Sequence, residues 1–141
     1  MDKKPRYKHQ ALTREIINAF YKVYNTLGFG FLEKVYENAL AMELRSRGMK
    51  VIQQQALTVY YNGNPVGNYI TDLIVNDLVI LEIKSAETII DAHEAQLLHY
   101  LRATEIEVGL ILNFGPKPQI SRKIFETARK TRTKPPQFYQ K

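Results

Sequence analysis

Residues 78–85 read LVILEIKS, an apolar run that ends on Glu82 and Lys84 with Ile83 between them. A charge at the end of a buried strand needs a reason, because burial is costly unless the charge is paired or holds a metal. Glu82 and Lys84 are two apart on a strand, so they share a face. Asp72 lies on the preceding apolar stretch, in a D-x9-E-x-K arrangement. Whether it joins them depends on the hairpin between. If Val75 pairs with Leu78 across a two-residue loop, Asp72 falls opposite Leu81 and points to the wrong face. A three-residue loop or a bulge instead lets Asp72 meet Glu82. The chemistry therefore predicts an odd register or a bulge in the 75–78 hairpin.

Two converging carboxylates suit a hard divalent cation such as Mg²⁺ or Mn²⁺, and the carbonyl of Ile83 offers a further oxygen. Such a cation lowers the pKa of bound water, orients it and neutralises charge on a phosphodiester. Lys84 beside it would hold the attacking water and stabilise developing negative charge. The plainer alternative is a Glu–Lys pair at a strand end with Asp72 as a polar turn residue. E-x-K alone favours that alternative; an Asp within the preceding apolar strand shifts the balance toward a site.

The elements that must position these residues follow from periodicity. Thr13 is a plausible N-cap for a helix carrying Ile16, Ile17, Phe20, Val23, Tyr24 and Leu27 at helical spacing. GFGF at 28–31 breaks it, and a second helix over 32–47 carries Leu32, Val35, Tyr36, Ala39, Leu40 and Leu44, with Gly48 at the C′ position. Strands are expected over 51–61, 66–75 and 78–84, the last two apolar on both faces as in the middle of a covered sheet. A helix over 89–103 and a strand over 108–114 follow. ISRKIFE reads as a last strand or a short helix. Helices on both faces of a mixed sheet is the natural α/β solution, with a crossover between the third and fourth strands that is right-handed if they are parallel.

The chain has 141 residues, 45% of them hydrophobic, which suits one domain with a real core. It has no cysteine, which excludes disulfides, thiolate zinc sites and cysteine nucleophiles. MDKKPRYKHQ lacks the apolar segment of a signal peptide. No apolar run approaches the roughly 18 residues of a membrane span, so the reading is cytoplasmic, without membrane. The net charge of +6 divides into +3 over residues 1–8, −4 over 9–116 and +7 over 117–141. The expected organisation is a basic arm over 1–10, one domain over 11–126 and a loose basic tail over 127–141. Basic ends are either solvated tails or arms that grip phosphates by counterion release. Arg122 and Lys123, in the basic region, are candidate substrate contacts.

The D…E-x-K pattern within this element order resembles the PD-(D/E)xK nuclease superfamily. The resemblance implies a restriction-endonuclease-like α-β-β-β-α-β core, here with an extra N-terminal helix. Thr71 stands where that motif has its proline. Gly30, Glu33 and Tyr36 spell G-x-x-E-x-x-Y in GFLEKVY, which resembles the GxxExxY protein family; with HEAQLLHYL the likeness spans roughly residues 12–125. It implies a metal-dependent nuclease acting on DNA. Asp72, Glu82 and the Ile83 carbonyl would hold Mg²⁺ or Mn²⁺, and Lys84 would act on the water. Glu33 would join the metal shell, directly or through water, although an acid there also suits a helix N-terminus. Gln96 and Tyr100, one turn apart, resemble the Q-x-x-x-Y motif of RecB-like exonucleases, in which the glutamine abuts the metal and the tyrosine approaches DNA. Tyr36 is either a core residue or a substrate contact. His9, His93 and His99 have no ligand pattern, although His93 could face the same cleft as Gln96. GFGF lacks the Lys-Ser/Thr of a phosphate-binding loop. A domain this small has little surface around a cleft, which makes a homodimer plausible. The competing function is a catalytically weak nucleic-acid-binding or accessory module on the same fold.

Overall fold

The structure is a computed structural model that describes residues 8–130. The N-terminal arm through residue 7 and the tail from residue 131 lie outside the described residues. The order is α1 (Gln10–Leu27), α2 (Glu33–Ser46), β1 (Val51–Tyr61), β2 (Asn64–Val75), β3 (Val79–Lys84), α3 (Asp91–Arg102), β4 (Val108–Phe114) and β5 (Pro118–Ile124), then a short 3₁₀ turn over Thr127–Arg129. The stretch ISRKIFE is thus mostly strand. The five strands run in the order β1-β2-β3-β4-β5. Among the described strands only the β3–β4 pair is parallel, and α3 makes its crossover; the other pairs are antiparallel.

This is a mixed sheet flanked by helices, with an extra N-terminal helix, the α/β architecture that the resemblance implies. Alternation along the strands sorts the core into two layers. Leu73, Leu81, Ile83, Leu110, Leu112 and Phe114 pack with Ile16, Phe20, Tyr36, Leu40 and Leu44 of α1 and α2. On the other face Ile74, Ile80 and Ile111 pack with Leu97, Tyr100 and Leu101 of α3. The central strand β3 is buried on both sides, which is why its sequence reads as an unbroken apolar run. Gly109 lets α3 settle closely: a Cβ there would lie 2.6 Å from Leu97 Cδ1.

Three expectations need correction. The first helix begins at Gln10, and its cap is His9 in a left-handed conformation (φ 54°). Thr13 sits inside the first turn, where its hydroxyl donates to the Gln10 carbonyl at 3.1 Å and accepts from Arg122 at 3.0 Å. Second, β2 is not buried throughout. Its first half, 64–70, is largely exposed, because β3 pairs with β2 only at Leu73, Ile74 and Val75. Third, the start of the expected loose tail is tied down: Lys130 Nζ donates to the carbonyls of Thr104 and Ile106, each at 2.8 Å.

The β1–β2 ladder skips Gln54 and Asp72, and Gln54 takes a left-handed φ of 56°. Beyond that break the alternation changes sides. Leu73 packs beneath α1 and α2, whereas Leu57 and its partner Tyr69 turn toward α3. The hairpin therefore bends at the level of Asp72.

Thr71, beside the bend, is fully buried and its hydroxyl has no hydrogen-bond partner. An unsatisfied buried hydroxyl costs stability, and an apolar isostere removes the cost. Thr71→Val is expected to stabilise the fold by about 1 kcal/mol, read as a higher urea midpoint with an unchanged slope. A lower midpoint would show that the hydroxyl does have a partner in solution.

Candidate active site

The site is set by the turn between β2 and β3. Asn76 and Asp77 both have left-handed φ, 52° and 58°, and Leu78 N–H donates to the Val75 carbonyl at 2.9 Å. Asn and Asp tolerate that conformation better than most side chains. The first ladder pair is nevertheless Val75 with Val79, so three residues lie between the paired positions. Carried one step past Leu73↔Leu81, this register sets Asp72 across from Glu82, as the odd register predicted. At that step the regular ladder stops. Asp72 Oδ2 accepts the Ile83 N–H at 2.7 Å, and Asp72 N–H donates to Glu82 Oε2 at 3.4 Å. The strands part, and carboxylates stand where carbonyls would. A strand residue points its N–H and C=O toward the same neighbour, so the Ile83 carbonyl faces this gap too.

Glu82 is only 6% exposed. Burial, reinforced by the Asp72 carboxylate, pushes its pKa up to about 8. Asp72 is raised as well: burial is the main cause, the Ile83 N–H opposes it, and the charges of Glu37 and Glu33 add to it. Lys84, half-buried at the end of β3, is near enough for its charge to oppose both rises.

Glu33 stands at the first residue of α2, and its Oε2 accepts the Ser85 N–H at 3.3 Å. Its charge is felt at both acids, yet it is committed to the end of β3. Among the described residues, no three His, Asp or Glu side chains gather closely enough to hold a metal ion. The structure brings Asp72, Glu82, Lys84 and Ile83 together, with Glu33 beside them on the Ser85 N–H.

Reasoning from sequence missed Glu37. It lies one turn after Glu33 and is buried, and it accepts hydrogen bonds from Gln53 Nε2 at 2.7 Å and Gln54 Nε2 at 2.8 Å. Gln54 Nε2 also lies 3.5 Å from Asp72 Oδ1. Glu37 is thus joined to Asp72 through Gln54. The available signals were the i, i+4 spacing of two acids on α2 and the run QQQ at 53–55.

From α3, Tyr100 is buried and faces the acids. Its phenol is pushed up to about 12, first by burial and then by the Glu82 and Asp72 carboxylates. Gln96 is half-buried one turn earlier on the same face. His93 Nδ1 accepts the Ile90 N–H at 3.2 Å. Its pKa is lowered, chiefly by burial and then by Lys84, so this histidine is a turn-holding neighbour of the site.

Tyr36 and Arg122 do not reach the acids. Tyr36 is fully buried, stacks on Phe114 with ring centres 4.4 Å apart, donates to the Gly28 carbonyl and accepts from Phe31 N–H. It holds the 28–31 turn and has no surface for substrate. Arg122 pairs in register with Leu110, on the α1 face, and its guanidinium binds Thr13 Oγ1 and the Lys8 carbonyl. It braces the start of α1, on the side of the sheet away from Glu82. Lys123 falls on the α3 face and forms an ion pair with Glu94 at 3.4 Å.

No helix among the described residues is long and apolar enough to cross a membrane. A family model described as the PD-(D/E)XK nuclease superfamily matches residues 10–124. No curated protein matches the chain. Among solved structures, the crystal structure of SSO0001 is similar, with a TM-score of 0.54 and 17% sequence identity. The match covers 84% of this chain and 60% of that one, so it spans less than two thirds of that chain's length. At that identity the likeness is one of fold.

Proposed function

The chain belongs to the PD-(D/E)XK nuclease superfamily, and on that premise we propose that it hydrolyses phosphodiester bonds in DNA with Mg²⁺ or Mn²⁺ held by Asp72 and Glu82. The observation that carries this reading is the three-residue turn, which sets the half-buried Asp72 carboxylate against the buried Glu82 carboxylate beside Lys84. The donor set fits a hard cation. It offers carboxylate oxygens and the Ile83 carbonyl, and Mg²⁺ needs only one or two carboxylates because it keeps several waters. The cation supplies charge neutralisation and a water of lowered pKa.

The chain's own groups do the rest. Glu82 keeps its proton beside the Asp72 carboxylate until positive charge arrives to displace it, so cation uptake is coupled to proton release. Lys84 orients the attacking water and stabilises charge that develops on the phosphate. Gln96 and Tyr100 flank the reacting group from α3. Glu33 acts at a distance, through water and the Ser85 backbone. Lys123 is a candidate phosphate contact that must exchange its Glu94 partner. Gly30, Glu33 and Tyr36 support assignment to the GxxExxY branch. The proposed setting is the cytoplasm, where a chain without cysteine needs no oxidising compartment, and a homodimer would widen the surface around the cleft.

Incubation of end-labelled DNA with Mg²⁺ or Mn²⁺ is expected to give cleavage that a chelator abolishes. Lys84→Ala is expected to lower the single-turnover rate by about 10²–10³-fold with metal affinity retained. Binding of DNA without cleavage under any metal would support the accessory-module reading instead.

A further inference from the structure

Residues 51–71 contain no Asp, Glu, Lys, Arg or His, although the chain carries 20 basic and 14 acidic residues. The stretch is the body of the β1–β2 hairpin, closed by Asn62 and Gly63 in left-handed conformations (φ 51° and 80°). Since β3 pairs with β2 only from Leu73 onward, the outer part of the hairpin is a two-stranded arm beyond the main sheet. Such ribbons are marginal alone in water. This one nevertheless exposes Tyr61, Val66, Tyr69 and Ile70. Protected edges usually carry charges, lysine above all, and here there are none.

The arm adjoins the acids. Tyr69, 46% exposed, packs edge-on against Tyr100 with ring centres 5.7 Å apart. Tyr100 in turn lies within the field of Glu82 and Asp72. The exposed Tyr69 ring thus touches one of the residues proposed to flank the phosphodiester. Phosphates are gripped by cations, and the arm has none. Neutral aromatic faces suit bases, whose π-faces stack on tyrosine regardless of sequence, provided that the bases are not already stacked within a duplex.

We infer that the 55–70 arm is a base-binding surface for an unpaired strand, with Tyr69 as the stacking platform nearest the scissile phosphate. The inference rests on the nuclease reading and deepens it: the preferred substrate has single-stranded character at the site of cleavage. Binding by the arm is neutral, so it adds affinity without adding to the salt dependence, which reports phosphate contacts.

The test uses the full chain with Ca²⁺ and two oligonucleotides of equal length, one of thymidines and one of abasic sugar-phosphate units. Tyr69→Ala is expected to weaken binding of the thymidine strand about tenfold, to leave the abasic strand unaffected and to preserve the salt slope. Tyr69→Phe keeps the ring and is expected to bind as wild type does, which separates stacking from a general loss of fold. Equal losses on both strands, or a steeper or shallower salt slope, would overturn the inference alone. Tyr69→Ala that converts a dimer to a monomer with no change in oligonucleotide affinity would also overturn it, and would assign the arm to self-association. If wild type holds neither strand, this inference falls, and the nuclease reading falls with it only if Mg²⁺ or Mn²⁺ also gives no cleavage of duplex DNA.

Discussion

Asp72→Asn is expected to reduce metal-dependent cleavage by about a thousandfold or more while leaving the fold intact. The amide is isosteric and its oxygen can still accept the Ile83 N–H that Asp72 Oδ2 now receives at 2.7 Å. What disappears is one of the two charges that would hold the cation. The same change removes a repulsive neighbour of Glu82, whose pKa is pushed up partly by Asp72, so Glu82 should ionise more easily in the variant. Loss of activity with equal or greater thermal stability would separate a functional acid from a structural one. Activity within about tenfold of wild type would show that Asp72 does not hold the metal.

The second large effect is on stability as a function of pH. Glu82 ionises near 8 in the fold and near 4.5 as an ordinary glutamate. Between those values the native state holds a proton that the unfolded chain has released, so unfolding releases it and stability falls as pH rises. As far as this group is concerned, the metal-free protein is therefore expected to be most stable below about pH 4.5, and to lose on the order of a few kcal/mol by pH 8. Asp72, also raised, acts in the same direction. Glu82→Gln is expected to flatten most of the slope in urea-denaturation midpoints measured from pH 5 to 8. Saturating Mn²⁺ should reverse it, because metal binding displaces the proton and strengthens with pH. A midpoint that rises with pH in the metal-free wild type would contradict the burial and repulsion described for this pair.

Most of the architecture was legible because the local signals agree with one another. Helical spacing from Ile16 to Leu27, the strand over Val108–Phe114 and the glycine after α2 each specify one element by one rule. The β2–β3 register was legible for a different reason. Asp72 and Glu82 make chemical sense only if they meet, and a one-residue slip would separate them. What could not be read was tertiary. The cap of α1 is a left-handed His9 and not Thr13, because Arg122 from the far end of the chain claims the Thr13 hydroxyl. The side on which Arg122 falls depends on its pairing with Leu110, which no spacing within ISRKIFE announces. Glu37 reaches Asp72 only through Gln54, whose left-handed backbone breaks the β1–β2 ladder; a glutamine in a strand sequence gives no warning of that. Tyr36 closes the G-x-x-E-x-x-Y spacing yet spends its hydroxyl on the Gly28–Phe31 turn, so its position reports how the helix is entered.

Calorimetric titration of Mg²⁺ and Mn²⁺ into wild type, Asp72→Ala and Glu82→Ala is the most direct measurement of whether these two acids form a metal site. Saturable binding by wild type that both variants lose, with proton release at pH 7, is the predicted result. No binding by wild type, or equal binding by all three proteins, would mean that Asp72 and Glu82 do not form the metal site proposed for them.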